Sequence, residues 1–384
     1  MDQYLAEQLR QLAEQGLYRA RRVVTSPQGV ELQLNNQSVI NFCSNDYLGL
    51  ASHPNVIAAF KNAAEQFGVG SGAAHLISGH NIAHHQLEEE LAAFAGRDRA
   101  LLFSTGYMAN MGVIAGLMRK TDSVFQDRLN HASLLDGALL SGARLKRYAH
   151  ANAQHLDELL FEAHAKKLII TDGVFSMDGD VAPLPDLVKT AKDHHAWLMV
   201  DDAHGLGVLG AKGQGSLELF GLTQDDVPIL MGTLGKSFGT FGAFVVGSDL
   251  LIETLIQKAR TYIYTTALPA AVAEATRASL KLVIEENWRR EKLQHLIAYF
   301  KRGAQQLGFP LLPSDTAIQP MMIGDNEKVM ALGASLFQHG FLVGTIRPPT
   351  VPQNSARLRI TLSALHEEQH IERLLDALYS VYQA

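Results

Sequence analysis

The stretch AWLMVDDAHG, residues 196–205, is an apolar run that ends on two adjacent carboxylates and a histidine. A short apolar run with such a polar boundary reads as a buried strand. A carboxylate at the carboxyl end of that strand costs solvation energy unless a cation meets it. The pattern recurs along the chain. ALLFS (100–104) opens into TGYMAN, SVFQ (123–126) into DRLNHAS, KLIIT (167–171) into DGVFSMDGD, and PILMG (228–232) into TLGKSFG. LKRYA (145–149) and AFVVG (243–247) complete a set of seven. Helical patterns such as PNVIAAFKNAAEQF (54–67) and HHQLEEELAAFAG (84–96) separate most of them. Apolar runs alternating with helices predict an α/β fold: a mostly parallel seven-stranded sheet with helices on both faces. The last two runs are close together, so an antiparallel junction is expected there.

Outside this region the pattern changes. Residues 1–45 read as a helix followed by a hairpin-like stretch, VVTSPQGVELQLNNQSVINF, in which Val30, Leu32 and Leu34 alternate. The sheet region occupies 46–284. A long helical stretch from Pro269 to about Leu307 leads into a smaller C-terminal α+β domain, 285–384.

Composition narrows the function classes. The chain has 384 residues, 47% hydrophobic and 19% charged, with a net charge of −6. That is ordinary globular composition, with no basic field for nucleic acid or an acidic membrane. Cys43 is the single cysteine, so an internal disulfide is excluded. No signal-like or membrane-spanning apolar run occurs, and a cytoplasmic location is expected.

Three motifs invite other readings. GLGVLG (205–210) matches a dinucleotide fingerprint, but it runs on into AKGQGS, which reads as a flexible glycine loop rather than a helix. HEEQH (366–370) matches a zinc-helix pattern, but a solvated C-terminal helix with a stripe at Ile371, Leu374, Leu375, Leu378 and Val381 explains it without metal. GVGSGAAH (68–75) follows a helix rather than a strand, which disfavours a Walker-type loop and leaves an active-site loop open.

The polar groups that follow the strands form a set. Lys236 lies between glycines in TLGKSFG; Asp201 and His204 follow one strand, Ser176 and His131 two others. Gly106 and Tyr107 begin a helix, where backbone N–H groups suit a phosphate. Open α/β sheets bind ligands at the carboxyl ends of their strands. Pyridoxal phosphate uses this whole set: a lysine for its aldehyde, a carboxylate for its ring nitrogen and a helix N-terminus for its phosphate. Asp201 would keep the ring nitrogen protonated and Lys236 would bond the aldehyde. Thr233 would reach the phosphate, His131 would stack on the ring, and His204 and Ser176 would bond the phenolic oxygen.

These motifs resemble those of the α-oxoamine synthases, fold-type-I pyridoxal phosphate enzymes that condense an amino acid with an acyl thioester and release carbon dioxide. NFCSNDYLGLASHP, HHQLEEELA, DRLNHASLLDG, DGVFSMDGDVAPL, VDDAHGLGVLG, TLGKSFG and ARLRIT carry the resemblance over nearly the whole chain. FGVGSGAAHLISGH, SMDGDVAPL and IRPPTVP (346–352) are similar to the branch that joins L-alanine to a pimeloyl thioester, carried by coenzyme A or an acyl carrier protein. The resemblance implies Lys236, Asp201 and His131 as catalytic residues. It implies Arg359 for the amino-acid carboxylate, and Arg19 and Thr350 for the acyl substrate, with Arg347 presented by the same proline-rich loop. It also implies a homodimer, with Thr265 or Thr266 of YIYTTALP acting on the partner's phosphate. GSGAAH and Asp172 depart from the branch's usual residues. A sister synthase using glycine and acetyl-CoA, and a non-catalytic partner subunit of the same fold, remain alternatives at this point.

Overall fold

The computed structural model describes residues 1–34, 36–163 and 165–383. The chain divides into two compact units. The larger comprises Leu48–Ser176 and Asp180–Arg290; the smaller comprises residues up to Tyr47, Met177–Gly179 and the chain from Glu291 onward. In chain order, β1 (Glu31–Leu34) and β2 (Gln37–Phe42) come first. The larger unit holds β3 (Arg99–Phe103), β4 (Ser123–Asp127), β5 (Arg144–Tyr148), β6 (Lys167–Asp172), β7 (Trp197–Asp201), β8 (Ile229–Thr233) and β9 (Ala243–Gly247). The smaller unit adds β10 (Ile318–Gly324), β11 (Phe341–Ile346) and β12 (Ala356–Thr361).

The seven-stranded sheet runs β3-β9-β8-β7-β6-β4-β5. Its pairs from β5 through β8 are parallel, and β9 is antiparallel to both β8 and β3. The close spacing of the last two apolar runs is thus an antiparallel junction, as expected. β4 and β9 are buried at every residue, which is why they read as continuous apolar runs. β5 is one of the two edges, and Arg144, Lys146 and Arg147 blunt it with charge. Leu101, Val113, Ile114, Val124, Leu134, Ile170 and Met199 belong to one core between the sheet and its helices.

In the smaller unit a five-stranded sheet runs β1-β2-β11-β12-β10. β2 pairs with β11 in parallel, Ile40 opposite Phe341. Leu32, Leu34 and Val39 bury against Val24, Phe337 and Leu342. The N-terminal helix Asp2–Glu14 has no buried residue, and Leu5, Leu9 and Leu12 lie exposed on it.

Two expectations need correction. The helical stretch after Pro269 is two helices, Ala270–Glu285 and Trp288–Gln306. Glu286 leaves helical geometry, and its carboxylate accepts from Arg289 Nε at 2.6 Å while Asn287 Oδ1 accepts from Arg290 Nε at 3.1 Å. The HEEQH motif does not lie wholly on a solvated helix. The helix begins at Glu368; His366 precedes it and is buried, with Nε2 bonded to the Asn41 carbonyl and its ring stacked on Phe42 at 4.3 Å. Its imidazole is a core group. No described helix is long and apolar enough to cross a membrane.

Candidate active site

The parallel strands deliver their carboxyl ends to one edge of the larger unit. There a cavity of about 180 Å³ is lined by Gly106, Tyr107, Asn110, His131, Ser133, Asp172, Ser176, Asp201, Ala203, His204, Met231, Thr233 and Lys236. Eight of these were expected from the sequence. Asn110, Ser133, Asp172, Ala203 and Met231 were not.

Lys236 stands where the chain leaves β8. Its Nζ lies 2.8 Å from His204 Nε2. The segment around it is held on both sides: the Gly239 N–H bonds to the Lys236 carbonyl at 2.8 Å, and Ser237 Oγ donates to the Leu206 carbonyl. The GLGVLG loop, which its glycines had suggested to be loose, is packed against this segment and hydrogen-bonded, with the Gly207 N–H on the Gly213 carbonyl at 2.7 Å. A Cβ on Gly207, which has φ +89°, would meet Ser237 Oγ at 2.5 Å. The glycine is there because the lysine-bearing segment packs against its Cα. Thr233 is at the end of β8, and its Oγ1 donates to the Gly242 carbonyl at 3.1 Å.

Asp201 and Asp172 end neighbouring parallel strands and are partners in register. Asp201 is buried. Its Oδ1 accepts from the Ala203 N–H at 3.0 Å and its Oδ2 from Asn110 Nδ2 at 2.7 Å. Asp172 accepts from the His131 N–H at 2.9 Å. Burial, reinforced by the Asp201 carboxylate, drives the Asp172 carboxyl well above the usual carboxylate range. Two adjacent carboxylates thus share this edge with Asp172 biased toward its neutral form. Asp202 faces elsewhere. Its Oδ2 accepts from the Ser216 N–H at 2.7 Å, and a Cβ on Gly205 or Gly215 would collide with its carboxylate. Burial raises its pKa to about 7.

Asn110 ties the site together. It is fully buried on an otherwise apolar helix, Gly106–Leu117. Asp201 offers only acceptors, so the Asn110 group facing it is the amide nitrogen. That nitrogen also donates to Ser133 Oγ at 2.8 Å. Ser133 Oγ then has its own proton to give to His131 Nδ1, 2.7 Å away. Neutral His131 consequently carries its hydrogen on Nε2. Desolvation holds this imidazole below its ordinary value, against the pull of Asp201. Sequence reading missed Asn110; the available signal was one amide among Ala109, Gly112, Val113 and Ile114.

The helix Gly106–Leu117 is capped by Thr105, whose side chain accepts from the Met108 N–H at 3.2 Å. Among the described residues, no acceptor takes the Gly106 and Tyr107 N–H groups, which line the cavity. A helix N-terminus with open amides fits a phosphate. The donor set as a whole fits pyridoxal phosphate: an amine, a buried carboxylate, an imidazole face and an anion site around one small cavity.

The remaining expected residues lie outside this cavity. Thr266 bridges to Ala74, and Thr265 is half-buried beside it. Arg19, Arg347, Thr350 and Arg359 belong to the smaller unit. Arg359 is buried on β12, with its guanidinium donating to Thr361 Oγ1 at 2.9 Å and Asn45 Oδ1 at 3.2 Å. Arg347 is not simply presented to solvent by its prolines. It donates to the Gly16 carbonyl at 2.7 Å and the Tyr18 carbonyl at 3.0 Å, and so fixes the chain leading to the exposed Arg19.

The family model for class I and II aminotransferases matches residues 37–378. An 8-amino-7-oxononanoate synthase from Nitrosococcus oceani is 60% identical over 375 residues, covering 97% of this chain and all of that protein. The high-resolution structure of SPT with its PLP internal aldimine superposes with a TM-score of 0.94 at 32% identity, over 99% of this chain and 96% of that one. The crystal structure of 8-amino-7-oxononanoate synthase from Francisella tularensis gives 0.79 at 33% identity, over 90% and 98%.

Proposed function

Because this chain belongs to the 8-amino-7-oxononanoate synthase family of pyridoxal phosphate-dependent acyltransferases within the class I and II aminotransferases, we propose that it condenses L-alanine with a pimeloyl thioester, giving 8-amino-7-oxononanoate, carbon dioxide and the free thiol. The observation that carries this reading is the single cavity shared by Lys236, His204, Asp201, His131 and the open end of helix Gly106–Leu117. IRPPTVP supports the pimeloyl branch over the glycine and acetyl-CoA pair.

Pyridoxal phosphate, when bound, supplies an electrophilic carbon for the amine and an electron sink for a carbanion at Cα. The residues of this chain do the rest. Asp201 would hold a proton on the ring nitrogen, and the Gly106 and Tyr107 N–H groups with Thr233 would hold the phosphate. Ser176 and His204 would bond the phenolic oxygen. Lys236 would hold the cofactor's aldehyde, and its amine would take the alanine Cα proton and later return one. His131 would cover the ring face. With its hydrogen on Nε2 it donates to the thioester carbonyl rather than acting as a base. Arg359 holds the alanine carboxylate; Arg19 and Thr350 contact the acyl chain, and Arg347 positions Arg19. The thiol carrier is coenzyme A or an acyl carrier protein.

The reading includes a homodimer, in which Thr265 or Thr266 reaches the partner's phosphate. The exposed Leu5, Leu9 and Leu12 of the N-terminal helix support a second chain as cover. The decisive experiment compares substrates. L-alanine with pimeloyl-CoA or pimeloyl-acyl carrier protein is expected to turn over far faster than glycine with acetyl-CoA. The reverse order would reject the pimeloyl branch, and an active monomer in sedimentation would reject the dimer.

A further inference from the structure

The segment HLISGHNIAHHQLEEE, residues 75–90, carries four histidines and three glutamates in sixteen positions. None of them lines the cavity around Lys236. His75–Gly79 is a short π-helical turn, and Asn81 caps the helix Ile82–Ala95. This brings His80, His85 and Glu88 together, with their ligand atoms all within 4.8 Å of one another. They open onto a cavity of about 460 Å³ that Tyr262 and Arg99 also line.

The four imidazoles are not equivalent. His84 is committed to structure: Nδ1 accepts from the Asn81 N–H at 2.9 Å, and Nε2 meets the Leu268 carbonyl at 2.6 Å. It has no lone pair left for a metal. His75 is buried, and its ring stacks on Tyr262 at 5.0 Å. Its Nδ1 lies 2.9 Å from His80 Nδ1, so one of the two carries the bridging proton. With the proton on His80 Nδ1, the Nε2 lone pair of His80 faces Glu88 Oε2 at 4.0 Å. A metal-bound histidine has this arrangement, its second nitrogen donating to a fixed acceptor.

Glu88 is equally prepared. Its Oε1 accepts from the Leu102 N–H at 3.0 Å, which orients the carboxylate and leaves Oε2 for the cavity. His85 is one helical turn before Glu88, on the same face. Two arginines also line this cavity: Arg99 pairs with Glu253 at 3.1 Å, and Arg97 donates to the Val227 carbonyl at 2.9 Å. We propose that His80, His85 and Glu88 form a binding site for a divalent transition ion of the zinc type, with His75 fixing His80 from behind. Two imidazoles and one carboxylate, with a coordination position open to the cavity, are the donor set such ions take in protein sites with one exchangeable ligand. Tetrahedral bonds of about 2.0–2.1 Å require smaller ligand separations than 4.8 Å. The exposed His85 side chain closes that gap by rotation, while His80 stays against His75 and Glu88 against Leu102.

The test uses tag-free holoenzyme. Cobalt(II) is titrated and its visible ligand-field absorption followed; zinc(II) affinity is measured by calorimetry. The expected result is one saturable site per chain. His80→Gln with His85→Gln together should weaken binding by at least ~100-fold, and Glu88→Gln by ~10- to 100-fold, the range for perturbed metal sites. His295→Gln, an exposed histidine elsewhere, should leave it unchanged. Both exposed histidines are replaceable without loss of core, so circular dichroism of the double variant should match the parent. Absence of a saturable site in the parent, or an unchanged site in the double variant, would overturn the proposal.

Discussion

Asn110 Nδ2 donates to Asp201 Oδ2 at 2.7 Å and to Ser133 Oγ at 2.8 Å, so a single amide links the carboxylate to the His131 imidazole. Asn110→Ala leaves Asp201 and Ser133 each short of a partner in a buried place. The loss of one hydrogen bond to a charged group is about 1.5–3 kcal/mol, which places the fall in kcat at roughly 10- to 100-fold. Rapid kinetics should show the fall in the chemical step, with KM for alanine little changed. An Asn110→Ala variant with normal kcat and a normal pH profile would show that the chain of bonds does not act on His131.

Asp201 and Asp202 are adjacent in sequence but answer to different surroundings. Asp201→Asn should reduce turnover by at least ~10²–10³, the cost of removing one preorganised electrostatic partner. Asp202→Asn should act chiefly on stability, because its carboxylate faces Ser216 and the glycines rather than the cavity. Steady-state kinetics and thermal melts on the two variants separate these outcomes; equal kinetic losses would contradict the assignment.

The Arg359 guanidinium donates to Thr361 and Asn45 and also hydrogen-bonds the Tyr47 side chain, and it carries five donors in a planar fork. Arg359→Lys keeps the charge and loses the planar fork that grips a carboxylate at two points. KM for L-alanine should rise by about 10- to 100-fold, the equivalent of one charge-assisted hydrogen bond. KM for the thioester should stay within a few-fold. A change confined to the thioester would move Arg359 to the other substrate.

Arg347 bonds two backbone carbonyls just before Arg19. Arg347→Ala should free that segment and raise KM for the thioester by roughly 5- to 30-fold, on the scale of two ordinary hydrogen bonds at about 1 kcal/mol each. Proteolysis near residues 16–19 should accelerate in the same variant. Unchanged KM together with unchanged cleavage would show that the bonds do not hold the segment.

His366 is buried and accepts from the Ser363 N–H at 2.9 Å while its other nitrogen serves the Asn41 carbonyl. Burial lowers its pKa to about 4, from 6.5. The unfolded chain therefore takes up this proton first as pH falls. The stability tied to neutral His366 is complete above pH 6.5, erodes below it, and is lost as pH falls through about 4. By the conversion of 1.36 kcal/mol per pH unit the whole step is on the order of 3 kcal/mol. Urea unfolding at pH 7.0 and 4.5 should show a smaller pH-dependent loss for His366→Gln than for the parent. An identical loss in both proteins would assign the acid sensitivity to other groups.

The sequence by itself determined the seven apolar runs, the mostly parallel sheet they form, and eight of the residues at the cavity that follows them. The reason is local: a strand buried on both faces must be apolar throughout, so any polar residue at its carboxyl end stands out. The same locality explains what was missed. Asn110 hides inside a helix, and its meaning depends on Asp201, 91 residues away. Asp172 reads as one more strand-end acid until the register sets it beside Asp201. His366 resembles a zinc-helix ligand until Phe42 covers it, and β2 gives no hint that Ile40 will pair with Phe341. Hydrogen-bond partners, strand register and burial are properties of contacts between distant residues. They decide which proton sits on which nitrogen and which carboxyl is driven toward its neutral form, and only the folded chain brings those residues together.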